Sequence, residues 1–281
     1  MNADTPRRHG AEASLLGQAV AYRDTYAPEL LFPIERQLKR NELNIAAGAL
    51  PFVGEDLWNA YELSWLDARG KPVVALGEFR VPAGSPRLIE SKSLKLYLNS
   101  FNQQRCAAVD EVRATIARDL SVAAGAAVGV VLLPLHERPQ RRFDYPQGRC
   151  VDDLEIDIDR YQPSPEVLRA CGAEVEETLY SHLLKSNCLV TGQPDWGTLV
   201  VRYRGPAIDR EALLRYVVSF RAHNEFHEQC VERVFCDLMA RCRPRELAVW
   251  ARYTRRGGLD INPFRASRAG LLPDEAMEVR Q

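Results

Sequence analysis

Cys188, Asp195 and His227 put a nucleophile, a carboxylate and an imidazole within 40 residues of one another. A thiolate adds to electrophilic carbon, and the carboxylate and imidazole can move the protons that such an addition requires. Cys188 stands in Lys185-Ser186-Asn187-Cys188-Leu189-Val190-Thr191-Gly192, followed by Gln193-Pro194-Asp195-Trp196. Small polar residues before the thiol and Thr-Gly after it read as a loop or strand end, more accessible than Cys230 or Cys236 at helical positions. Lys185 is expected to favour the thiolate. Trp196 is expected to bury Asp195 and raise its pKa. The bland alternatives are a half-buried cysteine and a turn aspartate bonded to its own backbone. His223, His227 and Cys230 are spaced four and three apart, so a helix there would bring them near one face, with Glu228 bordering it. A zinc site of Cys188, His227 and Cys230 is a second reading, although no CxxC or other familiar ligand spacing supports it.

Two further segments offer positive charge. Glu90-Ser91-Lys92-Ser93-Leu94-Lys95-Leu96-Tyr97 reads as a helix start, with Ser91 and Ser93 as capping groups. Lys92 and Lys95 suit a phosphate or a solvated surface. Residues 252–265, RYTRRGGLDINPFR, combine Arg255 and Arg256 with Gly257 and Gly258. Guanidinium groups beside close backbone suit a pyrophosphate or 2′-phosphate, and otherwise a basic surface turn. Neither GxGxxG nor a P-loop occurs, so a nicotinamide cofactor needs a non-Rossmann site.

The elements that must hold these groups follow from the 281-residue chain. Residues 1–20 read as a loose leader. Pro28 to Leu38 reads as the start of a short helix. Leu57–Leu66 and Val73–Val81 read as a hairpin around Asp67-Ala68-Arg69-Gly70. Leu94–Phe101 and Val109–Leu120 read as helices, and Gly125–Leu135 as a strand. Residues 136–150 are irregular and basic. Strands are expected at Asp152–Ile158, Glu174–Leu184, Thr198–Tyr203 and, last, Leu247–Tyr253, with helices at Asp209–Ala222 and Asn224–Arg241.

The halves repeat. Ile89, Leu94, Tyr97, Ser100 and Phe101 recur as Ile208, Leu213, Tyr216, Ser219 and Phe220, and Asp119-Leu120 as Asp237-Leu238. The reading is a duplicated β-β-α-α-β-β unit, with modules at 21–150 and 151–281 and antiparallel sheets covered by helices on one face. Closing a barrel with partner subunits would bury the other face and remove the sheet edges.

Composition excludes several classes. Hydrophobic residues are 46%, charged residues 27% and the formal net charge −1, which gives no global field for nucleic acid; Arg138–Arg142 and Arg252–Arg256 are the local basic runs. No stretch reaches 18 apolar residues, and the run at 122–135 is too short and too rich in Gly and Pro. Seven cysteines and no apolar signal core imply reduced thiols and a cytoplasmic protein.

On Glu90 to Tyr97, Ser186-Asn187-Cys188 through Trp196, His223, His227-Glu228 and Arg255 through Pro263, the chain resembles the NADPH-dependent 7-cyano-7-deazaguanine reductases, the nitrile reductases of queuosine biosynthesis. The resemblance covers nearly the whole chain and is to the long, two-module form. It implies an α+β architecture of tandem tunnelling-fold (T-fold) modules, a barrel completed by oligomerisation, a homodimer and no metal. It also implies reduction of the nitrile of 7-cyano-7-deazaguanine (preQ0) to the aminomethyl compound (preQ1) by two NADPH. Cys188 is then the residue that forms a thioimide with the nitrile carbon, Asp195 protonates its nitrogen, and His227 transfers protons at the imine stage. Glu90 and Glu228, with groups around Ser91, are implied to bind the deazaguanine edge. Lys92, Ser93, Arg255, Arg256 and Gly257 are the cofactor-side candidates. The rivals are a zinc-dependent cyclohydrolase of the same fold and a non-enzymatic pterin- or purine-binding protein. The substrate is expected to be the free base, without direct contact to nucleic acid or membrane.

Overall fold

A 3₁₀ turn at Pro28–Leu30 leads into strand β1 (Pro33–Glu35) and the short helix α1 (Gln37–Arg40), in place of one helix from Pro28 to Leu38. Pro33 explains the difference, because it has no N–H and disfavours helical backbone at the residue before it. The computed structural model describes residues 22–137, 140, 142–274 and 276–281. The expected leader at 1–20 and most of the 138–142 basic run lie outside them.

The first hairpin is β2 (Val53–Leu66) and β3 (Pro72–Pro82). Its turn is held by Asp67, whose carboxylate accepts from the backbone N–H of Arg69 and of Lys71, each at 2.9 Å. There follow β4 (Arg87–Ile89), α2 (Ser91–Asn99), α3 (Val109–Ala124), β5 (Gly129–Pro134) and β6 (Arg149–Cys150). The second half has β7 (Ala170–Asn187), β8 (Pro194–Ile208), α4 (Arg210–Ser219), α5 (His227–Cys242), β9 (Glu246–Tyr253) and β10 (Leu259–Ala266).

Three sequence expectations are corrected. Asp152–Ile158 pairs with no strand, although its burial alternates and Leu154 and Ile156 pack on the core; alternation reports burial, not a hydrogen-bonded partner. Helix α5 begins at His227, so His223 lies before it. Strand β9 is not the last, because β10 occupies what reads as a basic surface turn.

Strand β10 makes one sheet from the two halves. It pairs antiparallel with β2 from Leu259↔Ala60 to Ala266↔Val53, and with β9 on its other side. The order is β5-β3-β2-β10-β9-β8-β7-β6, so the sheet ends at β5 and β6 and does not close on itself. Leu199, Val201 and Val249 pack with Tyr216, Val231 and Phe235 of the helices, while the intervening Val200, Ala248 and Trp250 form a separate cluster with Phe264. The helices therefore cover one face, as period-two alternation requires. No helix among the described residues is long and apolar enough to cross a membrane.

The repeat is physical as well as textual. Tyr97 donates to Asp119 at 2.7 Å and Tyr216 to Asp237 at 2.5 Å. Ser100 and Ser219 each donate to the carbonyl three residues back at 2.6 Å, and each accepts a backbone N–H, from Ala27 and Ser164. Tyr97–Phe101 and Tyr216–Phe220 make matching edge-to-face ring pairs.

Between the halves lies a buried ion network. Asp56 of β2 pairs with Arg36 at 2.5 Å and Arg265 at 2.8 Å; Glu232 of α5 pairs with Arg265 at 2.8 Å and Arg40 at 2.7 Å. All five side chains are at most 5% exposed. Removing one partner from such a network strands a buried charge and costs about 3–5 kcal/mol. Glu232→Ala is therefore expected to lose about that much stability in denaturant unfolding. A loss below about 1 kcal/mol, the range of surface pairs, would show that the network does not bind the halves together.

Candidate active site

A cavity of about 550 Å³ opens where the two halves meet. The first half supplies Trp58, Ile89, Ser91, Lys92 and Lys95. The second supplies Cys188, Asp195, Phe226, His227 and Glu228, and the turn into β10 adds Arg256, Gly257 and Asp260.

Cys188 follows β7 and is half-buried. Its N–H donates to the Gln193 carbonyl at 2.8 Å, and its carbonyl accepts from Gly192 at 3.0 Å. Gly192 has φ +65°, a left-handed conformation that glycine adopts without strain. This closed turn holds the thiol at the cavity wall. Lys185, expected beside it, instead donates to Asn187 at 2.5 Å and to the Arg221 carbonyl at 2.7 Å.

Asp195, near the start of β8, is buried. Arg256 donates both to its carboxylate and to the Gln193 side chain. His227 Nε2 lies 3.4 Å from Asp195 on the other side, without a well-aligned hydrogen bond. Burial pushes the Asp195 pKa up, but His227 and then Arg256 outweigh it, and the net shift is downward. The expected upward shift is thus reversed, and Trp196 itself is 38% exposed.

His227 and Glu228 open helix α5. The imidazole stacks on Tyr253, with ring centres 3.9 Å apart. Glu228 is 2% exposed. Burial, and then the charge of Asp56, raise its pKa to about 7, against the opposing pull of Arg36 and His227. One cavity therefore holds two carboxylates with opposite shifts.

The remaining candidates divide. Glu90 is the N-cap of α2, accepting from the N–H groups of Lys92 at 2.6 Å and Ser93 at 2.8 Å; its side chain is buried between cavity residues Ile89 and Ser91. Ser93 is buried, its hydroxyl donating to the Glu90 carbonyl and accepting from the Phe32 N–H inside the fold. Arg255 lies over the Tyr61 ring at 4.0 Å and donates to the Gln281 carbonyl, outside the cavity lining. His223 pairs with Glu225 at 3.0 Å, away from His227. Cys230 is fully buried, where desolvation pushes its thiol pKa well up. Lys92, Lys95, Arg256 and Gly257 remain on the wall. A Cβ on Gly257 would press the Lys95 chain at 3.3 Å, so glycine lets backbone and lysine approach one another there. Cations beside such close backbone fit a phosphate-bearing cofactor.

Sequence reading missed Trp58 and Phe226, which carry no chemical signature apart from their place on the wall. It also missed the role of Asp260, a buried acceptor for Asn59 and Tyr61. Among the described residues, the cluster with metal-ligand spacing is Cys150, Asp152 and His182, not Cys188, His227 and Cys230.

Two family models match the chain. The nitrile reductase, 7-cyano-7-deazaguanine-reductase N-terminal model covers residues 22–132, and the QueF-like protein model covers 194–270. Three relatives carry the name NADPH-dependent 7-cyano-7-deazaguanine reductase. That of Azoarcus sp. (strain BH72) is 72% identical over 97% of both chains. That of Aromatoleum aromaticum (strain DSM 19018 / LMG 30748 / EbN1) is 66% identical over 100% of both, and that of Dechloromonas aromatica (strain RCB) 64% identical over 96% of both.

A buried carboxylate with a raised pKa destabilises the fold as it ionises. Its protonated form is neutral in folded and unfolded chains alike at low pH. As pH rises from the ordinary value of 4.5 to about 7, the folded chain increasingly bears the cost. Glu228→Gln is therefore expected to raise Tm above pH 7 and to lose that advantage as pH falls to 4.5. A difference independent of pH would rule out the buried charge as its cause.

Proposed function

The chain belongs to the family of NADPH-dependent 7-cyano-7-deazaguanine reductases, and we propose that it performs the family's reaction through a covalent bond at Cys188. It is an oxidoreductase that reduces the nitrile of 7-cyano-7-deazaguanine to an aminomethyl group. The observation that carries the residue assignment is the convergence of Cys188, Asp195 and His227 on one cavity between the halves.

The depressed pKa of Asp195 keeps it ionised, so the carboxylate is available to accept a proton. The carboxylate takes the thiol proton of Cys188 as sulfur bonds to the nitrile carbon, and returns it to the nitrogen. The product is a neutral thioimide, with atoms and charge balanced. Arg256 and His227 hold the carboxylate between them and keep it ionised until the thiol arrives. NADPH supplies hydride when bound, with Lys92, Lys95, Arg256 and the Gly257 backbone as the groups to hold its phosphates. His227 donates a proton at nitrogen when the freed imine is reduced. The cavity wall keeps water from that hydrolysable imine.

Glu228 is the ring-reading carboxylate in this proposal, accepting from adjacent N–H and amino donors. Glu90 takes the supporting position: its carboxylate caps α2 and accepts from the Ser91 hydroxyl, holding that cavity residue in place. The modules are 21–150 and 151–281, with the site between them. A homodimer is the assembly that fits a sheet ending at β5 and β6, since two copies can pair those ends and complete a barrel. Among the described residues, the zinc-cyclohydrolase alternative has no ligand cluster that includes Cys188.

Intact-mass measurement with 7-cyano-7-deazaguanine and no NADPH is expected to show a gain of one substrate per chain. Cys188→Ala should show none while still binding the base, and Asp195→Asn should form the adduct at least about a hundredfold more slowly, at the low end for a proton-transfer group. An adduct on Cys188→Ala, or an unchanged rate in Asp195→Asn, would overturn the corresponding assignment.

A further inference from the structure

A second cluster of reactive side chains lies where β6 meets β7, outside the cavity lining. We propose that Cys150, Asp152 and His182 bind a divalent cation of the zinc class. Their ligand atoms all lie within 4.8 Å of one another. A tetrahedral ion with bonds of about 2.0–2.3 Å sets its ligands roughly 3.5 Å apart. Side-chain rotation of partly exposed groups closes that difference without moving the backbone.

The backbone frame is already fixed. Cys150 of β6 stands opposite Tyr180 of β7, and the Val151 N–H donates to the Tyr180 carbonyl at 3.0 Å. The Asp152 carboxylate accepts from the Ser181 hydroxyl at 2.5 Å and from the His182 N–H at 2.9 Å. Strand β6 has only two residues, so this corner holds the end of the sheet by very few bonds.

Glu278 supplies the independent observation. It is 3% exposed, and its Oε2 makes no hydrogen bond although it stands 3.6 Å from Nδ1 of His182. The nearby Arg280 does not satisfy it, directing its guanidinium instead to the carbonyls of His182 and Gly197 and to the Thr198 hydroxyl. A carboxylate lodged behind a histidine is the arrangement that fixes a ligating imidazole and raises its basicity. Nδ1 is engaged by Thr198 at 2.8 Å, which leaves Nε2 as the metal-binding nitrogen. Thiolate and carboxylate together neutralise a dication, and the imidazole adds an uncharged third bond. The fourth position is left to water or an incoming group. Bound metal would clamp β6 to β7 far from the nitrile chemistry.

The test uses the full chain carrying Cys188→Ala and Cys171→Ala, so that neither the half-buried cavity thiol nor the exposed one can supply the signal. Metal-stripped protein is titrated with Co²⁺ and then Zn²⁺. The expected result is one equivalent bound, a cobalt–thiolate charge-transfer band, tetrahedral d–d absorption, and displacement by Zn²⁺. Adding Cys150→Ser or His182→Gln should abolish the band in protein whose circular dichroism is unchanged; the two substitutions are independent, so failure of one to fold leaves the other decisive. Glu278→Gln should weaken binding by roughly 10–100-fold, as loss of an outer-shell partner does. No stoichiometric binding, or a thiolate band that survives Cys150→Ser, would overturn the site.

Discussion

The buried pairing of Asp56 and Glu232 with Arg36, Arg40 and Arg265 is the constraint on which the site depends. It joins β2, β10, α5 and the segment around α1, none of which is a sequence neighbour of all the others. Such pairs contribute little net stability over an apolar substitute, because desolvation offsets attraction. Their effect is on geometry: each guanidinium accepts only a narrow set of carboxylate positions. With Glu232 fixed one turn along α5, the first turn of that helix, His227 and Glu228, has one place to be.

The same network sets the cavity's electrostatics. Three arginines face two carboxylates, leaving one positive charge in excess beneath Glu228. That excess is too little to overcome burial and the charge of Asp56, so Glu228 titrates near neutrality. Asp195, equally deep, has a guanidinium of its own in Arg256 and an imidazole beside it, and stays ionised. Burial alone would have shifted both the same way; the difference lies in the charges each one meets, an anion in Asp56 for Glu228 and the cationic partners His227 and Arg256 for Asp195.

Much of this was legible in the chain. The hairpin, both helix pairs and the duplication follow from periodicity and from Tyr97, Ser100 and Asp119 recurring as Tyr216, Ser219 and Asp237, because each pattern is local. Membership of the family was legible from the motifs around Glu90, Cys188 and His227. What escaped was set by distant partners. Strand β10 looked like a basic turn because its polar residues are satisfied across the sheet: Asp260 by Asn59, and Arg265 by Asp56. The pKa of Asp195 was misjudged because His227 and Arg256, which together outweigh its burial, are both distant in the chain, Arg256 by 61 residues. Ser93 and Lys185 carried the right chemistry, but other groups of the fold claimed them first: the Glu90 carbonyl for Ser93, and the Asn187 side chain and the distant Arg221 carbonyl for Lys185.

Duplication also explains why the site is singular within the chain. Glu90 and Asp209, 119 residues apart, cap corresponding helices α2 and α4, so the two copies began with the same turn. Only at α2 does the residue after the cap line the cavity; after Asp209, Arg210 is bound to Glu177 at 2.9 Å. The second copy carries the opposite specialisation. His227 and Glu228 begin α5, whereas α3 begins with Val109 and the exposed Asp110. The β7–β8 turn holds Cys188, while the β2–β3 turn holds only Asp67 and its own backbone bonds. Neither module contains both the start of α2 and the reactive turn. Joining the copies in one chain, with β10 laid against β2, fixes that pairing in every molecule.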